Sequence, residues 1–405
     1  MRTYDSYKDS GISWLGQIPS HWELKPGFSL YHENDEKFDM LSEPTVLSLS
    51  YGNIIVKKNK DEGLVPENYS GYQVIKPDYI IIRCTDLQND KVSLRTGIAK
   101  NHGIITGAYL GLIANDGFNA QYLHYFLHDW DITKEIYRHG SGLRQVLSWN
   151  DMKRLPILVP PRVEQEAIVA YLDSATAEID KAIASQQRMV DLLQERKQII
   201  INQAVTQGLN PDAPMKPTNI DWLPQIPAHW QLKKIKYVVL LKSGQNLTSE
   251  QIEKEDLYPV YGGNGLRGYY SDFNNDGDYV LIGRQGALCG NINYAHNKFW
   301  ATEHAVVCYP VESVNVLWLG ETLRAMNLNR YATASAQPGL AVENIKGLMM
   351  PVPDYKEQND IADYIEKQTK PIDDSIERCN RVIGALTERK QILINDMVTG
   401  KIKVI

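Results

Sequence analysis

Trp14-Leu15-Gly16-Gln17-Ile18-Pro19-Ser20-His21-Trp22-Glu23-Leu24-Lys25 returns 208 positions later as Trp222-Leu223-Pro224-Gln225-Ile226-Pro227-Ala228-His229-Trp230-Gln231-Leu232-Lys233. The two stretches differ only at Gly16/Pro224, Ser20/Ala228 and Glu23/Gln231. Asp78-Tyr79-Ile80-Ile81-Ile82 resembles Asp278-Tyr279-Val280-Leu281-Ile282, 200 positions on. Glu195-Arg196-Lys197-Gln198-Ile199 returns as Glu388-Arg389-Lys390-Gln391-Ile392, 193 positions on. Offsets that fall in order along the chain are what small deletions between two copies of one fold leave behind, whereas chance matches would not drift in one direction. Each copy has a Trp/Pro-rich opening motif, a region whose side chains mostly differ, and a tail. The divisions fall at 1–155, 156–207, 208–348 and 349–405.

In the tails, apolar residues recur every three or four positions, the signature of a helix buried along one stripe. Ile179, Ile183, Val190, Leu193 and Ile200 in the first tail match Ile372, Ile376, Ile383, Leu386 and Leu393 in the second, all at the 193 offset. Thr176 falls over Thr369 and Lys197 over Lys390. So narrow a stripe resembles a coiled-coil seam and predicts that the two tails pack on one another. Pro160-Pro161 and Pro353 precede the tails, and Glu164-Gln165 and Glu357-Gln358 open them, as helix starts often do. Pro371 lies inside the second pattern. Because proline removes a helical hydrogen bond and clashes with the preceding turn, the pattern predicts a break there. The expected tail is a short helix, a hinge near Thr176 or Thr369, and a long helix of about 30 residues spanning roughly 45 Å.

The regions between are rich in β-branched and aromatic runs separated by turn residues, which predicts mostly β structure. Candidate strands are 45–49, 79–82, 104–113, 279–282 and 305–309; candidate helices are 120–127 and 316–325. After the matched strands the loops differ, Arg83-Cys84-Thr85-Asp86-Leu87-Gln88-Asn89 against Arg284-Gln285-Gly286-Ala287. Changed loops on a constant scaffold are a way of varying binding specificity. These loops carry the side chains that read base edges: Arg for guanine, Asn and Gln for adenine, acids for cytosine. In the first copy the candidates are Arg83, Gln88, Asn89, Lys91, Arg95, Lys100 and His102, with Lys57, Lys58 and Lys60 as a phosphate-binding cluster. In the second they are Asn264, Arg267, Arg284, Gln285, Thr302, Glu303 and His304. Ser141, Arg144 and Gln145, in a Gly-Ser-Gly loop before the first tail, could meet a phosphate or cap a turn. Tyr261-Gly262-Gly263-Asn264-Gly265 has the wrong spacing for a phosphate loop and reads as a tight turn.

The chain of 405 residues is long enough for two or more cores, and 43% apolar with 23% charged residues is the composition of a folded protein. No window approaches about 18 uninterrupted apolar residues. The first eleven residues lack the apolar stretch of a secretory signal, so a cytoplasmic location is expected. Cys84, Cys289, Cys308 and Cys379 are far apart, without zinc-ligand spacing, and read as reduced thiols. Catalytic signatures are missing: no H-E-x-x-H, G-x-S-x-G, Walker or Asn-Pro-Pro-Tyr sequence occurs. Pro77-Asp78, Pro211-Asp212 and Pro353-Asp354 are nuclease-like pairs, but the nearest plausible carboxylate-x-Lys partner, Glu388-Arg389-Lys390, lies on the second tail, so they read as coincidence. The formal charge of −6 is held in the tails: 164–207 carry 7 acids against 4 bases, and 357–398 carry 9 against 6. The remainder is neutral, so any affinity for DNA must depend on where its bases cluster.

This doubled combination of W-L-x-x-I-P-x-H-W, a Pro-bounded E-Q helix start and E-R-K-Q-I resembles the specificity subunit of type I restriction-modification enzymes along the whole chain. Arg284-Gln285-Gly286 and Phe299-Trp300-Ala301-Thr302-Glu303-His304-Ala305 also look like pieces of that family's target-recognition domains. The resemblance implies an α+β fold with internal pseudo-two-fold symmetry. Two β-rich target-recognition domains, 1–155 and 208–348, would be joined by helical spacers, 156–207 and 349–405, packed as an antiparallel coiled coil. Each domain would read half of a bipartite, asymmetric site in double-stranded DNA. The helices would set the half-site spacing and dock two methyltransferase (modification) subunits, with restriction subunits in the full complex. The chain itself would be no enzyme and bind no cofactor or metal, S-adenosylmethionine, ATP and Mg2+ belonging to its partners. The alternative on the residues alone is a coiled-coil scaffold that binds proteins through two β-rich modules.

Overall fold

A computed structural model describes the chain except residues 1–2, 40–43, 58–68, 88–93, 140–144, 287, 333–338 and 405. Its contacts divide into two units: 1–186 with 381–405, and 187–380.

The first unit centres on an antiparallel four-stranded sheet in the order Tyr31–Glu33, Leu110–Ala114, Ile80–Ile82, Thr96–Ile98. Helix α1, Ala120–Ile132, packs against it. The apolar run Ile80-Ile81-Ile82 is explained by burial on both faces, since alternate side chains of a strand point to opposite sides. Ile80 and Ile82 join Trp22, Leu112, Phe126 and Trp130 in the main core, whereas Ile81 joins Leu47, Ile54 and Ile105 in a smaller one. The expected strand over 104–113 is two strands, Gly103–Thr106 and Leu110–Ala114, in different sheets. They are split by a turn at Gly107, whose N–H donates to the Gly71 carbonyl at 3.0 Å.

The second unit repeats this plan. Val239–Ser243, Ala305–Pro310, Tyr279–Gly283 and Ile292–Ala295 form the equivalent sheet, and its helix is Val316–Ala325. Val280 and Ile282 again enter the main core and Leu281 the smaller one. A further sheet, Gly265–Tyr270, Tyr258–Gly262, Lys298–Ala301 and Asn275–Asp276, includes one parallel pairing, Val260 with Trp300.

Two long helices follow the β regions, α2 over Arg162–Gln207 and a second over Tyr355–Val398. Neither breaks, which corrects the hinges expected near Thr176, Thr369 and Pro371. Pro371 is exposed, as is Lys367, whose carbonyl it deprives of a donor, so water can replace the lost bond. Ile365, Thr369 and Ile372 are buried beside it and hold the turn by packing. In the stripe, Val190 and Ile372 are buried, while Ile179, Ile183, Leu193, Ile200, Ile376, Ile383, Leu386 and Leu393 are half-buried. In the first unit Asp180 pairs with Lys390 at 2.7 Å. From that pair, Leu172 and Ile168 in one direction, and Ile394, Met397 and Val398 in the other, enter one core, so the two segments run antiparallel. In the second unit the equivalent pair is Lys197 with Asp373, also at 2.7 Å, and Ala204 and Val205 share a core with Ile361 and Ile365.

The repeated motifs seal these units. In the first, Glu164 in the opening turn of α2 accepts from His21 Nε2 at 2.6 Å, Trp22 Nε1 at 2.9 Å and the Tyr4 hydroxyl at 3.0 Å. In the second, Glu357 meets His229 Nε2 at 2.9 Å. The neighbouring glutamines latch the short helices: Gln165 Oε1 accepts from the N–H of Asn119, the residue capping α1, at 3.0 Å, and Gln358 does the same with Asn315 at 3.0 Å. The seal also includes a glycine at each long helix's C-terminus. In the second unit Gly208 (φ +73°) lies so close that a Cβ would stand 3.3 Å from the Trp230 ring. In the first, a Cβ on Gly400 (φ +76°) would overlap the Pro19 ring.

Among the described residues no helix is long and apolar enough to cross a membrane, and the four cysteines are unpaired.

Candidate nucleic-acid interface

In the second unit the strand pair Tyr258–Gly262 and Gly265–Tyr270 forms a hairpin whose tip is the expected tight turn, with Gly265 at φ +98°. The tip packs against the end of the central strand: a Cβ on Gly283 would overlap the Gly263 carbonyl, so only glycine permits this approach. Beyond it, Arg284 N–H donates to the His304 carbonyl at 2.8 Å, bringing three chain segments together. Between them lies an open groove of about 540 Å³ lined by Asn264, Arg267, Gln285 and His304, with Gly263, Gly265, Leu266 and Gly286. Four predicted residues, up to 40 positions apart in sequence, therefore share one recess.

Hydrogen bonds preset this groove. Asn291 Nδ2 donates to Asn264 Oδ1 at 3.1 Å, and His304 Nε2 lies 3.0 Å from Glu303 Oε1. Arg284 is exposed, and its guanidinium reaches Ser243 Oγ at 3.4 Å. Asn293 Nδ2, Glu303 Oε2 and His304 Nδ1 are buried with no protein partner among the described residues. Buried polar atoms normally have partners, so these three leave hydrogen-bonding capacity unmet beside the groove. Asn291 and Asn293 were missed from sequence; the signal was their alternation with apolar Ile292 where a strand begins.

Thr302 corrects the expectation in this unit. It is fully buried, its N–H donating to the Tyr261 carbonyl at 2.9 Å, so it shapes the wall and has no surface to offer a base.

In the first unit Arg95 requires the larger correction. It is fully buried, and its guanidinium donates to the carbonyls of Arg83 (3.3 Å), Thr85 (2.8 Å) and Asp86 (3.0 Å) while lying 5.5 Å from the Tyr137 ring centre. It fixes the loop after the central strand from inside. Gln145 is likewise engaged internally, donating from Nε2 to the Tyr137 carbonyl at 2.8 Å. Lys100 and His102 are exposed where the chain turns into Gly103–Thr106, and Lys57 and Arg83 are half-buried. Lys58, Lys60, Gln88, Asn89, Lys91, Ser141 and Arg144 lie outside the described residues.

Comparison with known proteins places these units in context. Residues 227–383 match the family model described as type I restriction modification DNA specificity domain. Over 139 residues the chain is 43% identical to the EcoprrI type I restriction enzyme specificity subunit of Escherichia coli, a match spanning 33% of this chain and 35% of that subunit. It is 20% identical to the EcoKI specificity subunit of Escherichia coli K12 over 96% of this chain and 90% of that one. Among solved structures, a chain from a study of complex assembly in a type I restriction-modification system matches with a TM-score of 0.63 at 15% identity, covering 94% of this chain and 98% of that one. At that identity the likeness is one of fold.

Proposed function

Because the chain belongs to the type I restriction-modification specificity family, we propose that it is the non-catalytic subunit that gives such a complex its DNA address. Each β-rich unit reads one half of a bipartite, asymmetric site, and the paired long helices set the distance between the halves. The observation that carries this reading is one scaffold used twice with different loops at the same place, after Ile80–Ile82 and after Tyr279–Gly283. A duplicated framework with unlike reading surfaces suits a target whose halves differ.

Duplication also bears on assembly. Besides their half-buried stripes, the long helices carry matched outward apolar residues at the 193 offset: Tyr171 and Tyr364 (36% and 38% exposed), Met189 and Val382 (50% and 44%), and Ile199 and Ile392 (49% and 53%). A surface that occurs twice fits two copies of one partner, here two methyltransferase subunits, with restriction subunits joining in the full complex. S-adenosylmethionine, ATP and Mg2+ belong to those partners in this reading.

The reading is tested by exchanging residues 26–150 for another recognition domain and mapping methylated adenines in cells that also carry the modification subunit. One half-site should change and the other persist. A change in both halves, or in neither, would overturn the two-reader assignment. Binding to duplex DNA should weaken steeply with salt, as released counterions require.

A further inference from the structure

We propose that Arg267 selects a guanine in the second half-site and that Gly262 positions it; the proposal rests on the DNA-reading function above. Arg267 stands on the second strand of the groove's hairpin, where it is the extra residue at the register shift between Val260, which faces Gly268, and Tyr261, which faces Leu266. A Cβ on Gly262 would overlap Arg267 Cδ and lie 3.0 Å from its Cγ, so the arginine's aliphatic arm rests on the bare backbone of Gly262. That contact restricts a side chain which would otherwise sample many rotamers, and restriction before binding lowers the entropic cost of recognition. The hydrogen bond of the guanidinium to Ser249 Oγ is long, 3.4 Å, and occupies only one of its five N–H donors.

The groove around it sets further donors beside Arg267, among them Gln285 Nε2. Asn264 Oδ1 already accepts from Asn291, so Asn264 has its Nδ2 donor left to offer. In the major groove guanine presents two adjacent acceptors, O6 and N7. Adenine presents one acceptor beside a donor, cytosine a donor, and thymine one acceptor beside a methyl group. An arginine fork in a donor-rich recess therefore matches guanine. A phosphate would also accept such donors, but the Glu303 carboxylate, 3.0 Å behind His304 in the groove wall, disfavours an anion there.

The test uses the full chain complexed with its methyltransferase subunit and duplexes carrying the site defined by methylation mapping. Binding is measured with 7-deazaguanine, which replaces N7 by carbon, at each guanine of the second half-site in turn. Wild type should lose roughly 10-fold or more at one position, the scale of a bidentate arginine contact. Arg267→Ala should lose a similar factor on the unmodified duplex and nothing further on that 7-deazaguanine duplex, while keeping its preference for the first half-site, which shows that it folds. Gly262→Ala, which leaves the arginine in place but displaces its arm, should show a similar loss. Equal weakening of specific and random duplexes by Arg267→Ala, with a shallower salt dependence, would identify a phosphate contact and overturn the proposal. So would a second half-site without guanine. A wild-type complex that prefers no duplex would instead refute the DNA-reading function itself.

Discussion

Arg95 shows how one buried side chain can control a surface it never reaches. Its guanidinium holds three carbonyls of the loop after the first unit's central strand, and its own N–H donates to Asp131 Oδ2 at 2.5 Å. Arg95→Ala would leave those carbonyls without their donor, at a cost of about 3 kcal/mol. The expected outcome is a lowered urea midpoint for the first unit, with reading of the second half-site unchanged. A variant as stable as wild type would mean that the buried network does not hold the loop. At this scale the sequence was legible in chemistry but not in placement. Arg, Asn, Gln and His residues in loops stand out as hydrogen-bonding groups, and Asn264, Arg267, Gln285 and His304 share a groove. Nothing local distinguishes Arg95 or Thr302 from them, because burial is decided by which distant elements close over a residue.

Helix α1 brings titratable side chains into the first unit's core, where its counterpart Val316–Ala325 brings none at the matching positions. From the equivalent caps Asn119 and Asn315, His124, His128 and Asp129 correspond to Gly320, Arg324 and Ala325. Burial lowers the pKa of His124 to about 3 and of His128 to about 4, and raises that of Asp129 to about 7 despite a 3.0 Å hydrogen bond from Asn395. The histidines are neutral when folded, so the stability they confer is present above pH 6.5 and lost as acid protonates them in the unfolded chain. Asp129 acts oppositely, its burial costing nothing below about pH 3.8, more as pH rises towards 7, and a constant amount above that. Two histidine protons outweigh one from Asp129, and Asp131, whose pKa burial also raises, offsets part of the remainder, so the first unit should lose stability on acidification from 6.5 to 4.5 by less than about 1.4 kcal/mol per pH unit. Asp129→Asn should raise stability at pH 8. Urea unfolding across this range checks both signs, and a midpoint unmoved between pH 6.5 and 4.5 would refute the account. Elements were the most legible level of the sequence. Val316–Ala325 falls at the predicted bounds, and both long helices follow the three-to-four residue stripe. Pro371 misled because the rule for helix interiors assumes that the freed carbonyl is buried, and here it is on the exposed side.

The whole chain was legible as a duplication, since the matched motifs are the parts that seal each unit: His21, Trp22 and Glu164, then His229, Trp230 and Glu357. What the repeat did not reveal is that each unit is completed by both long helices, each contributing part of its length. That sharing follows from three-dimensional closure and leaves no mark in a one-dimensional pattern. If the helices act as the ruler, deleting residues 183–189 and 376–382 together preserves the stripe and shortens each helix by about 10 Å. Methylation mapping should then show half-sites of unchanged sequence separated by about three fewer base pairs; altered half-site sequences would argue against the ruler.

The seal at Gly400 has a consequence for how the molecule is made. The first unit is the earlier to leave the ribosome and the later to be finished. Trp22, Pro19 and the core around Leu158 must wait for Ile394, Met397, Val398 and Gly400, which are made only after the whole of the second unit. At about 5–20 residues per second, the stretch between 186 and 381 imposes a delay of roughly 10–40 s. During that interval the second unit, continuous in sequence, is complete, and the nascent chain exposes an apolar surface shaped for a helix not yet synthesised.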